Sequence, residues 1–129
     1  MTVFSNVDPL NDIGRLTDIS VIDIESPEVR SILDAYSRRA AELLHLPVGM
    51  VSIVLPHAQY LAGRYGLDGS WMAEADGTPV EWSFCLDVVR GGTSYVIEDA
   101  TADARHFDNP LVVNDGARSY AGAPVRSSS

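Results

Sequence analysis

Between Glu98 and Val112 the sequence reads EDATADARHFDNPLV, and no other stretch is as chemically busy. Asp99, Asp103, Arg105 and His106 crowd its middle. Their types suit contact with a small-molecule ligand, and His106 could serve as an axial haem ligand. The same residues also make turns: Asp and Asn bond their own backbone, and Pro110 fixes one bend. Asp103 and Arg105 are close enough to pair on the surface, while Phe107, Leu111 and Val112 would pin the segment to a core. So long a loop must be tied down to offset its entropy. The segment therefore reads as a structural loop carrying ligand contacts, with no catalytic centre.

Few other residues offer chemistry. Cys85 is the lone cysteine, which excludes an internal disulfide, a CxxC redox pair and a cysteine-rich zinc site. It reads as a small core residue, because a reactive thiol needs a nearby base and nothing assigns one. His45, His57 and His106 lack metal-ligand spacing, so no metal site is expected. Arg118 and Tyr120 share one face of a strand, and a buried Arg118 would demand a carboxylate from Asp99 or Asp103, or else capture an anion. No GxGxxG or GxxxxGK[ST] phosphate loop occurs.

The elements that must position these groups belong to a chain of one-domain length, 129 residues, 46% hydrophobic and 21% charged. Eighteen acidic residues against nine arginines give a net charge of −9, which disfavours nucleic acid and anionic membrane as partners. The longest apolar run, Leu46 to Leu55, is too short to span a bilayer, and the N-terminus lacks a secretion signal, so a cytoplasmic protein is expected.

Residues 1–25 read as an irregular arm packed through Phe4, Leu16, Ile19 and Ile22, with ISVIDI its strand-like stretch. Ser26, Pro27 and Glu28 open a helix whose apolar residues are Val29, Ile32, Leu33, Tyr36, Ala40, Leu43 and Leu44, and Pro47 stops it. A buried strand, Val48 to Leu55, then pairs as a hairpin with Gln59 to Gly66. Thr78-Pro79-Val80-Glu81 fits a capping box opening a second helix that ends at Gly91-Gly92. A strand at Thr93 to Ile97, the busy loop and a last strand at Ala117 to Val125 complete an α+β chain, with an antiparallel sheet flanked by helices. Residues 126–129 are a polar tail.

From Arg15 to Val125 this order resembles the GAF domain, in the branch found in bacterial sensor kinases and cyclic-dinucleotide enzymes. The resemblance rests on VIDIESPE after Arg15, GMVSIVL, Ser83-Phe84-Cys85, YVIEDATADARHFDNPLV and ARSYAGAPV. It implies a regulatory module in which the busy loop covers a ligand cavity near Phe84, Cys85, Asp99, Arg105, His106, Arg118 and Tyr120. The ligand stays unknown, and a separate output protein would receive the signal. A haem- or other cofactor-using enzyme and a purely structural dimerisation domain are the alternatives on the same scaffold. Two departures stand out. His106 sits between Arg105 and Phe107 where the family places Phe directly after Arg, and the sequence stops at Ser129, before the family's closing strand and helix. Without them two sheet fragments would keep open edges, so either the first and last strands pair or a second copy covers them. A homodimer formed through the first helix or the open edges is expected.

Overall fold

A computed structural model of the chain describes residues 8–126. The expected contact of Phe4 lies outside that range. The fold is α+β, with antiparallel strands flanked by helices, and the chain divides into two compact units, Met1–Val80 and Glu81–Ser129.

In the first unit the described part of the arm, from Asp8, is largely helical, contrary to the irregular arm expected. A 3-10 turn at Pro9–Asn11 leads into α1, Ile13–Ser20, and Asp12 caps it by accepting from the Gly14 amide. Ile13, Leu16 and Ile19 recur every three residues, a spacing that serves a helix as well as a strand. ISVIDI thus forms the last residues of α1 and the turn after it, and Ile22 is exposed while Leu16 and Ile19 are half-buried. From α1 the Arg15 Nη2 donates to the Val54 carbonyl at 2.5 Å.

Helix α2 runs Pro27–Leu44 with the expected start: Ser26 caps through its hydroxyl, Pro27 follows and Glu28 sits in the first turn. It ends on His45 in the left-handed conformation (φ 56°), two residues before Pro47. The packed face corrects the expected one. Ser37 and Ala41 are buried, whereas Ile32, Tyr36, Leu43 and Leu44 are 55–68% exposed. Small residues win the inner face because of what lies beneath.

That is a three-stranded antiparallel sheet in the order β1 (Gly49–Val54), β2 (Ala58–Tyr65) and β3 (Gly77–Pro79). A Cβ at Gly49 would lie 1.9 Å from the Ser37 carbonyl oxygen, and one at Gly63 would lie 2.5 Å from the Leu33 carbonyl. The helix therefore rests on strand backbone. The β1–β2 register slips between Val51 and Ser52, which pair with Gly63 and Leu61, so Ala62 is an extra residue. The connector after β2 ends in a short α3, Trp71–Ala75, capped by Ser70.

β3 overturns the expected capping box. Gly77–Pro79 pairs with Ala58–Tyr60, and Thr78 Oγ1 accepts from Gln59 Nε2 at 3.1 Å and donates to the Pro79 carbonyl. The Thr78 backbone is used as strand and its hydroxyl is spent there, so a single 3-10 turn at Val80–Trp82 follows and the α-helix starts only at Cys85.

In the second unit, α4 spans Cys85–Gly91 with no side-chain cap, and Gly92 (φ 68°) closes it in the left-handed conformation. β4 (Tyr95–Ile97) pairs antiparallel with β5 (Tyr120–Gly122), both shorter than expected. Between them the loop contains α5, Pro110–Val113, capped by Asn109. Phe84, Ile97, Ala100 and Val112 form the core of this unit.

Candidate functional site

The site is built where α4, β4, β5 and the loop after β4 meet. Phe84, at the start of α4, is buried with its ring edge-on to His106 (centroids 5.1 Å, 88°) and tilted against Tyr120 (5.4 Å). Such ring pairs add roughly 1 kcal/mol beyond burial. His106 is buried too, while its neighbour Phe107 is 55% exposed. The expectation that Phe107 pins the loop is thereby corrected: the inserted histidine takes the inward place, alongside Leu111 and Val112, which are buried as expected.

An imidazole can enter such a core only with polar partners. Its Nε2 lies 3.0 Å from Tyr95 Oη and 3.4 Å from Asp87 Oδ2. Asp87 also accepts from Arg105 Nη2 at 2.5 Å, and this ion pair raises the Arg105 pKa. Burial, then the Asp87 charge, raises the Tyr95 phenol above its ordinary value. Tyr95 thus stays protonated around neutrality and keeps the hydroxyl that meets His106 Nε2.

On the other side of Phe84, Tyr120 Oη donates to Cys85 Sγ at 3.1 Å. Burial, then Cys85, raises the Tyr120 pKa strongly. The ring reaches this position by lying over Gly122, where a Cβ would stand 2.1 Å from the hydroxyl. This explains the glycine two residues after the tyrosine on β5.

Five of the seven residues singled out from the sequence gather here: Phe84, Cys85, Arg105, His106 and Tyr120. Two do not. Asp99 caps the next turn, accepting from the Thr101 amide and hydroxyl, which lowers its pKa. Arg118 donates to the Val112 and Ala117 carbonyls, so the expected pairing with Asp99 or Asp103 gives way to backbone contacts. Asp103 accepts from the Arg105 amide, leaving the Arg105 guanidinium for Asp87. Asp87 and Tyr95 escaped the sequence reading. The signal for Asp87 was its place three residues after Phe84, which puts a carboxylate beside a buried ring and demands a partner. Tyr95 had no comparable mark.

The network ties loop to helix and strand, with half-buried Tyr95 and Tyr120 packed against buried Phe84 and Tyr120 reaching half-buried Cys85. His106 Nε2 faces a phenol and a carboxylate, so iron ligation through that atom would require both contacts to be lost. No group of three or more His, Cys, Asp or Glu able to hold a metal ion occurs among the described residues.

A second charged cluster lies in the first unit. Asp76, in the left-handed conformation (φ 58°), accepts from Arg64 Nη1 at 2.5 Å and Arg30 Nη2 at 3.2 Å. Arg30 also donates to Tyr60 Oη at 2.9 Å. Arg64, then Arg30, lowers the Asp76 pKa. Both guanidiniums are used in joining α2, β2 and the turn before β3, which makes this cluster a clamp.

No protein-family model matches the sequence. It is 33% identical over 87 residues, 67% of the chain, to a cyclic di-GMP phosphodiesterase of Pseudomonas aeruginosa. The match spans 14% of that protein's length. The chain is thus a small α+β domain distantly related to a bacterial signalling protein. Among the described residues no helix is long and apolar enough to cross a membrane.

Proposed function

We propose that the chain is a non-catalytic, cytoplasmic regulatory module of the GAF type, which binds a small molecule or partner protein and acts as a homodimer. The carrying observation is the 33% identity confined to 14% of a much longer signalling enzyme. A stretch so small relative to the whole is what an accessory domain shared between signalling chains leaves behind. The ligand would lie against half-buried Tyr95, Tyr120 and Cys85, with the loop held over it by His106. Engagement of His106 Nε2 by Tyr95 and Asp87 favours this reading over a haem-dependent enzyme.

Native mass spectrometry on gently purified protein, with an absorbance spectrum of the same sample, tests it. The expected result is a dimer carrying added mass. A Soret band would instead support the haem enzyme. A ligand-free dimer would leave only a dimerisation domain, and a ligand-free monomer would overturn the proposal.

A further inference from the structure

The face of α2 turned away from the sheet has a regular pattern of its own. Glu28, Ile32, Ala35, Arg39 and Glu42 follow one another at spacings of four, three, four and three and so share one helix face, with Ile32 and Ala35 at its centre between charges. At 100° per residue this face is centred opposite Ser37, the middle of the buried stripe. Ile32 is 57% exposed, and flanking Tyr36 and Leu43 are 63% and 68% exposed. Five of these residues, Ile32, Ala35, Tyr36, Arg39 and Glu42, border one shallow depression.

The charges on this face are complementary by symmetry. Arg38 is engaged by Glu42 at 3.4 Å and lies over the Tyr65 ring. Glu28 and Arg39 are exposed, and among the described residues neither side chain has a hydrogen bond or ion pair. They lie eleven residues apart, within about 20° of one another around the axis. In an antiparallel pair of α2 helices related by a two-fold axis between Ile32 and Ala35, Glu28 of each copy faces Arg39 of the other. The same register sets bulky Ile32 against small Ala35 twice.

We infer that α2 pairs with α2 of a second copy in this antiparallel register, locked by two reciprocal Glu28–Arg39 contacts. This deepens the homodimer part of the proposed function and rests on it. An isologous interface uses one patch on both subunits, so one residue pair supplies two contacts.

Charge reversal with mixing tests the register, using sedimentation velocity on the full chain. Glu28→Arg places Arg against Arg at both contacts, and Arg39→Glu places Glu against Glu. Each variant alone should dimerise about tenfold or more weakly than the unmodified chain. An equimolar mixture of the two restores both contacts and should recover dimer. Glu28→Gln and Arg39→Gln provide a second pair should a reversal disturb folding. Each should weaken dimerisation less, and mixing should restore it only in part, because the mixed dimer keeps one of the two Glu28–Arg39 contacts. A dimer indifferent to these changes, or one not rescued by mixing, overturns the register while leaving the homodimer reading intact. An unmodified chain that stays monomeric at high concentration overturns both and leaves the face to a different partner.

Discussion

The two units achieve order by opposite means. In the first, α2 lies on the backbone of β1 and β2, with Ser37 and Ala41 facing Gly49, and Leu33 facing Gly63. In the second, α4 is held to its strands through rings and polar groups: Phe84, His106, Tyr95 and Tyr120 fill the space, and Asp87 and Arg105 complete the bonding. Backbone contact permits almost no adjustment, whereas a ring cluster can rearrange by rotamer changes. Sites that must admit ligands are better built the second way.

The sharpest way to break the comparison is to force a side chain between α2 and the sheet. Gly49→Ala puts a methyl group onto the Ser37 carbonyl, and no rotamer relieves it. A loss of about 3 kcal/mol or more is expected in urea unfolding. A loss below roughly 1 kcal/mol would show that the helix can lift and that the two units differ less than described.

Phe84→Ala addresses the second unit. It removes the ring on which His106 and Tyr120 rest, and about 3 kcal/mol should be lost by the same measurement. Because neighbouring rings can move into the gap, Phe84→Leu should recover most of that loss.

The smallest effect belongs to Asp76→Asn. The carboxylate is 41% exposed, so solvent screening limits its contribution to below about 1 kcal/mol. Arg64 and Arg30 depress its folded-state pKa. Its contribution is therefore present above the unfolded-state value, near 4, and fades as pH falls through the lower folded value. Unfolding of wild type and Asp76→Asn at pH 7 and pH 3 should show the gap between them narrowing in acid.

Local signals carried the reading of the fold where they met no competitor. Ser26-Pro27-Glu28 opened α2 as expected, and the hairpin of β1 and β2 was plain from two β-rich runs around Pro56-His57. Thr78-Pro79-Val80-Glu81 misled because pairing with Gln59 used the same residues for a strand. The apolar stripe of α2 misled for a related reason. Periodicity reports which face is apolar, and close approach to Gly49 and Gly63 decided which face is buried. At the site, the residue types of the loop were a fair guide to Arg105 and His106. The inward turn of His106 instead of Phe107 was not legible, since it depends on Asp87 and Tyr95, eleven and more residues distant.

The seating of α2 on glycine backbone has a mechanical consequence. A helix cushioned by long side chains can roll or slide while rotamers take up the motion. This one has no cushion at Gly49 and Gly63, so any torque on its outer face passes undamped into β1 and β2. Helix and hairpin behave as one lever, and a push on Ile32 or Tyr36 is felt at the far strand as displacement.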